Sequence, residues 1–344
     1  MGNENDCGEE QSVTKKPKTK GFRETSRRMR EGQEQHLGHR ASMDWRHDSK
    51  RVCNKGGFEA EIAGIDKLKE ILMKSRTAEA LMTGDNGANL EICYDRQIPT
   101  SQYYPRAVRR VITLNPYRPK GDLLNLLSRE LRRAWQHRQG ALVNPLNYEP
   151  DEAILVNRAQ QADTLMISVK IAWELRLAGE PEAWNYLGGS PMADVSRTFE
   201  LKVQTDFRTL NNGEAPRAAY DKFFEDCRTK LHDKRIIHQM LLDESGYIRS
   251  GRKEGRIGPD LFSKLGKMPH GKNYLSACKS RAPTDLCYST VEDRSNANFL
   301  WFIKFERSFQ EKELEMVKQS VKLSAEIVDF AKWATQRRAP EPGR

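Results

Sequence analysis

Hydrophobic and polar positions divide the chain into a tail, a periodic middle and a sparse C-terminal third. Through residue 52 aliphatic side chains are almost absent, and Lys15-Lys16-Pro17-Lys18 and Arg27-Arg28-Met29-Arg30 mix with glutamates. Such a segment buries too little apolar surface to offset the entropy of ordering it. Residues 1–52 are therefore expected to be a disordered basic and polar tail. From Glu59, Ile62, Ile65, Leu68, Ile71 and Leu72 recur at helical spacing, which predicts a helix to about Met82, stopped by Thr83-Gly84-Asp85-Asn86-Gly87. Residues 89–94 and 108–114 favour extended structure, the second run closing in Asn115-Pro116. A helix beginning near Asp122 places Leu123, Leu124, Leu127, Leu131, Ala134 and Trp135 on one arc, with Arg129 and Arg133 opposite. Pro150 and Gly179 bracket a longer helix striped by Leu155, Ala159, Ala162, Met166, Val169 and Trp173. Further helices are predicted over 192–206, 215–231 and 233–243.

Beyond these, residues 246–297 are rich in Gly, Lys, Ser and Pro and read as an irregular linker. Residues 298–333 read as an amphipathic helix with an aromatic start, followed by a tail over 334–344. The fold class is thus α+β and predominantly helical, a small sheet packed on two long helices, with one domain over 53–245 and a separate C-terminal helix.

Composition changes this picture little. Charged residues are 31%, hydrophobic residues 37% and mean hydropathy is −0.78, in keeping with solvated ends. No run approaches the roughly 20 apolar residues that span a bilayer, and residues 1–10 carry no signal-peptide core. A cytoplasmic protein with no membrane partner is expected. Cys7, Cys53, Cys93, Cys227, Cys278 and Cys287 form no CxxC pair, which favours reduced thiols. His36 and His39 fall in the tail, and the other histidines are isolated. Net charge is +10, and between Arg106 and Arg138 nine Lys or Arg face only Asp122 and Glu130. A basic patch including Arg109, Arg110 and Arg118 makes nucleic acid a possible partner, though not the favoured one. No phosphate loop, dinucleotide fingerprint or nucleophile elbow occurs.

The informative motif is Ser128-Arg129-Glu130-Leu131-Arg132-Arg133-Ala134-Trp135-Gln136. In an HExxH helix, two histidines one turn apart hold zinc and the glutamate acts on the metal-bound water. Here the glutamate persists as Glu130, while both histidine places hold arginine. A guanidinium has no lone pair to donate and stays protonated. Two fixed cations a few ångströms away would also repel a divalent ion, by roughly 1 to 4 kcal/mol each.

The order helix, strand, strand ending in Leu114-Asn115-Pro116, HExxH-like helix, second long helix is similar to that of a small zincin. Residues 60–245 resemble a bacterial family of putative metallopeptidases of unknown function through Ile112 to Pro116, Glu130 to Gln136 and Gln161-Ala162-Asp163. The resemblance implies a zincin-like core with zinc as the family's cofactor. It places Arg129 and Arg133 at the histidine ligands, Gln161 at the ligand glutamate, Glu130 at the general base and Asp163 beside the site. With all three ligand places changed, no metal is expected. The expectation is a pseudoenzyme serving as a binding or regulatory module for a protein or peptide. Glu130 would pair with Arg133 or Arg129, and the former cleft would take a carboxylate or phosphate between Arg129 and Arg133 as paired donors. Asp163 would accept from one of those arginines or stay an exposed helix residue. The alternatives are an active metal-dependent hydrolase using other ligands and a basic nucleic-acid-binding protein.

Overall fold

A computed structural model describes residues 59–84, 90–105, 110–225, 228–244, 257–276 and 286–336. The tail over 1–52, with His36 and His39, and residues 337–344 lie outside the described residues, as does Arg109. The described part is predominantly helical with a three-stranded sheet. Helices α1 (Glu59–Leu72) and α2 (Arg76–Thr83) replace the single helix the periodicity predicts. Ser75 takes extended backbone and its side chain accepts from the Ala78 N–H, capping a new helix start.

Strands β1 (Leu90–Tyr94), β2 (Ser101–Pro105) and β3 (Arg110–Leu114) form a sheet of order β1-β3-β2. β3 runs parallel to β1, with Ile92 opposite Ile112, and antiparallel to β2, with Tyr103 opposite Ile112. Its Val111, Ile112, Thr113 and Leu114 are buried, as expected of a central strand covered by helices. β2 is an edge strand that the sequence reading places no strand on. It ends in Pro105, which suits only an edge.

The core is organised around α3 (Lys120–Arg138) and α4 (Pro150–Leu177), which pack against each other. Asp122 in the first turn of α3 and Arg138 in its last complement the helix dipole. Pro150 opens α4, and Gly179 at φ 87° closes it while the Glu180 N–H returns to the Leu175 carbonyl. Buried side chains lie all round α4, so it is the interior helix of the domain. Trp173 lies edge-on to Trp184 with ring centroids 5.2 Å apart, both indoles packed into the core.

Around this pair sit α5 (Glu182–Gly188), α6 (Ala193–Thr205), α7 (Thr209–Asn212), α8 (Glu214–Lys222) and α9 (Arg228–Glu244). Residues 257–276, expected as linker, instead contain α10 (Pro259–Leu265) and bury Leu261, Phe262, Leu265, Tyr274 and Leu275 in the main core. This returning segment lies against Gly213, where φ is 94° and a Cβ would come within 3.1 Å of the Tyr274 Cα. After α11 (Leu286–Ser289), the 43-residue α12 (Arg294–Gln336) starts earlier than its aromatic run suggests. Leu300 and Ile303 dock it on Ile236, Ile237 and Met240 of α9, while Trp301, Phe305 and Phe309 stay exposed on its other side.

Candidate functional site

The residues singled out by the motif lie where α3 crosses α4 beneath β2. Arg133 and Glu130 are one turn apart on α3, and Arg133 Nη1 donates to both Glu130 carboxylate oxygens at 2.9 and 3.1 Å. Its Nη2 donates to Gln161 Oε1 on α4 at 2.9 Å. Glu130, buried, also accepts from Ser101 Oγ of β2 at 2.8 Å. One guanidinium therefore bridges the carboxylate of α3 and the amide of α4, and the edge strand closes the carboxylate from above. A buried carboxylate persists in such surroundings because its charge is matched by a cation and hydrogen bonds.

Asp163 does not join this group, contrary to expectation, and it is fully buried instead of exposed. It accepts from Arg132 Nε at 2.7 Å and Nη2 at 2.9 Å, from Gln136 Nε2 at 2.6 Å and from the Tyr274 hydroxyl at 2.6 Å. Arg132, equally buried, also donates through Nη2 to the carbonyls of Leu265 and Lys267 at 2.7 and 2.9 Å. The pair thus fastens the returning segment to α3 and α4. Sequence reasoning missed Arg132. Its signal was a polar line, Ser128, Arg132 and Gln136, one turn apart in register with Leu124 and so running into the buried side of the helix. A second tie has the same build: Arg158 holds Asp233 at 2.8 and 2.6 Å and donates to the carbonyls of Tyr288 and Thr290.

Arg129 stands apart from both networks. Among the described residues its side chain makes no hydrogen bond or ion pair. It lines a cavity of about 140 Å³ between α3, α4 and the α5–α6 corner. Burial first, then the neighbouring Arg133 cation, pulls its pKa down to about 10, against weaker support from the Glu130 and Asp122 charges. The expected pairing of Arg129 with Arg133 on one ligand is therefore not what the geometry offers, since Arg133 is committed to Glu130 and Gln161. His232 on α9, also missed, feels Arg129, Arg235, Arg133 and Arg158. Burial and these charges, in that order, take its pKa down to about 4. The imidazole is neutral at physiological pH.

Four of the nine basic residues between Arg106 and Arg138 are paired with acids within the fold. Arg118 is paired with Asp122, Lys120 with Glu182, Arg132 with Asp163 and Arg133 with Glu130. Among the described residues no group of three or more His, Cys, Asp or Glu side chains could hold a metal ion. Cys93 on β1 is disulfide-bonded, a departure from the expected free thiols. No described helix is long and apolar enough to cross a membrane.

Residues 53–276 match the model of the family described as "Putative metallopeptidase family (DUF6782)". The matched span takes in α1 through the returning segment and ends just past Tyr274 and Leu275. No curated protein and no solved structure matches the chain.

Proposed function

Because the chain belongs to the putative metallopeptidase family, we propose that it is a member without zinc catalysis, in which the zincin-type site has become a binding module. On this reading Arg129 and Arg133 stand at the two histidine ligands, Gln161 at the ligand glutamate and Glu130 at the general base. These residues do not fit the metal. Neither guanidinium has a lone pair to give, an amide oxygen is a weak zinc ligand, and Glu130 is held by Arg133 and Ser101.

The observation that carries the reading is the position of Arg133, whose guanidinium bridges Glu130 and Gln161. It supplies between those two groups the positive charge that a metal ion would otherwise bring, and it satisfies the carboxylate without leaving a group free to activate water. Elemental analysis of purified protein, with a broad peptide-cleavage screen, tests this. The expected result is zinc well below one per chain and no chelator-sensitive hydrolysis. Stoichiometric zinc lost in Glu130→Gln, or cleavage abolished by a chelator, would overturn it. The combined reversion Arg129→His, Arg133→His and Gln161→Glu is expected to gain zinc binding.

The internal pairing of Arg118, Lys120, Arg132 and Arg133 removes four of the nine basic side chains between Arg106 and Arg138 from the nucleic-acid reading, and the binding-module reading is favoured.

A further inference from the structure

We infer that the cavity beside Arg129 is a receptor for a carboxylate group carried on a short apolar stem. The inference rests on the binding-module reading above and gives that module a ligand class. Its basis is which polar groups around the cavity are already committed and which are not.

Asn125 donates to the carbonyls of Gly121 and Ala183, both at 2.9 Å, and its Oδ1 accepts from Ser168 Oγ at 3.1 Å. Ser190 Oγ donates to the Leu187 carbonyl at 2.8 Å and accepts from the Met192 N–H at 3.1 Å. Asp122 is gripped by Arg118 through Nε and Nη2 at 2.6 and 2.5 Å. Each of these lining side chains has a partner within the fold, and Arg129 has none among the described residues. An arginine in that state presents a planar fork of donors whose natural complement is an acceptor with two coplanar oxygens.

The walls set the rest of the specificity. Leu126, Leu165, Leu187 and Met192 supply apolar surface for an alkyl stem. The wall between α3 and α5 is fixed by close backbone approach: a Cβ on Gly121 would lie 2.4 Å from the Glu182 carbonyl oxygen, so the two helices hold the cavity rigid from that side. A volume of about 140 Å³ takes a terminal group of a few heavy atoms, and the rest of a longer ligand would lie outside it. Asp122 in the lining, though paired with Arg118, weighs more against a dianion than against a monoanion, and one guanidinium cannot satisfy the oxygens of a phosphate. A monoanionic carboxylate fits both limits. It could belong to a free short-chain acid or to the C-terminus of a peptide whose last side chain is small and apolar.

Titration calorimetry and thermal shift on the full chain test this with four probes: butyrate, an acetylated dipeptide ending in valine, the same dipeptide as its C-terminal amide, and inorganic phosphate. The acid dipeptide or butyrate is expected to bind and raise Tm, with the amide and phosphate at least about ten-fold weaker, since only the carboxylate meets the arginine fork. Binding of butyrate as tightly as the dipeptide identifies a free acid as the source, and binding of the dipeptide alone identifies a peptide end. Arg129→Met is expected to abolish the response, and Arg129→Lys to weaken it about ten-fold. An amide or phosphate that binds as well as the acid, no binding by either carboxylate, or undiminished binding by Arg129→Met would each overturn the inference. The comparison of acid with amide is made on the unaltered protein, so it holds whether or not the variants fold. Failure here with zinc still absent would leave the zinc-free reading standing and remove only this ligand.

Discussion

Arg132 and Arg129 stand one turn apart on α3, and the fold treats them in opposite ways. Arg132 is fully buried and meets both oxygens of Asp163 and two backbone carbonyls. Arg129 lines a cavity and meets no acceptor among the described residues. What a guanidinium contributes depends on what its neighbours offer, and here that differs entirely across about 60° of helix. Arg132 is a structural tie; removing it strands a carboxylate. Arg129 is a donor without a partner among the described residues, and the fold tolerates its desolvation without return, as expected where binding and stability pull in different directions.

Five measurements would sharpen or break that contrast. Arg132→Met should have the largest effect, a loss of about 3–5 kcal/mol in urea unfolding, because Asp163 is left charged and buried without its cation. Arg158→Met should fall in the same range, since the tie to Asp233 has the same construction. A loss below about 1 kcal/mol at Arg132 would mean that Asp163 is not held by this pair.

His232 comes next, and the sign follows from its lowered pKa. The unfolded chain binds a proton near pH 6.5 and the folded chain only near 4, so stability is full above 6.5 and declines as pH falls between those values. At about 1.4 kcal/mol per pKa unit the loss across this window is on the order of 3 kcal/mol. His232→Gln should flatten the pH dependence of unfolding across that window relative to the native chain; parallel curves would contradict the assignment. Arg133→Met should cost roughly 1–3 kcal/mol, since Glu130 keeps Ser101 and is partly relieved by solvent reaching the vacated space. Arg129→Met is expected to be the mildest, from neutral to about 1 kcal/mol more stable, because the charge it removes is disfavoured by the fold at neutral pH. A clear loss of stability there would show that Arg129 has a structural partner after all.

The sequence was legible where punctuation and periodicity agreed. The apolar arc from Asp122 for α3, and Pro150 and Gly179 around α4, give those helices to within a few residues. The contact of Arg133 with Glu130 follows from a spacing of three on a helix. β2 escaped because Ser101-Gln102-Tyr103-Tyr104-Pro105 has no β-branched residue and its pairing with β3 is a tertiary event. The returning segment escaped because its apolar residues, Ile257, Leu261, Phe262, Leu265, Tyr274 and Leu275, are spread among glycines and lysines with no single period. The site divided in the same way. Gln161 came to attention through the family resemblance, whereas the ties from Arg132 to Asp163 and from Arg158 to Asp233 join residues 31 and 75 positions apart, which no local pattern encodes.

The carbonyls of Leu265 and Lys267 lie 133 and 135 residues beyond Arg132 in the chain. During synthesis, α3 and α4 therefore emerge well before the segment that completes the cover over their charged pair. Closure of the domain is a late, non-local event of the kind that slows folding. A chain halted before residue 257 would present Arg132, Asp163 and the apolar floor beneath Tyr274 to water. Its ribosomal or proteolytic fate would then turn on twenty residues that, read alone, look dispensable.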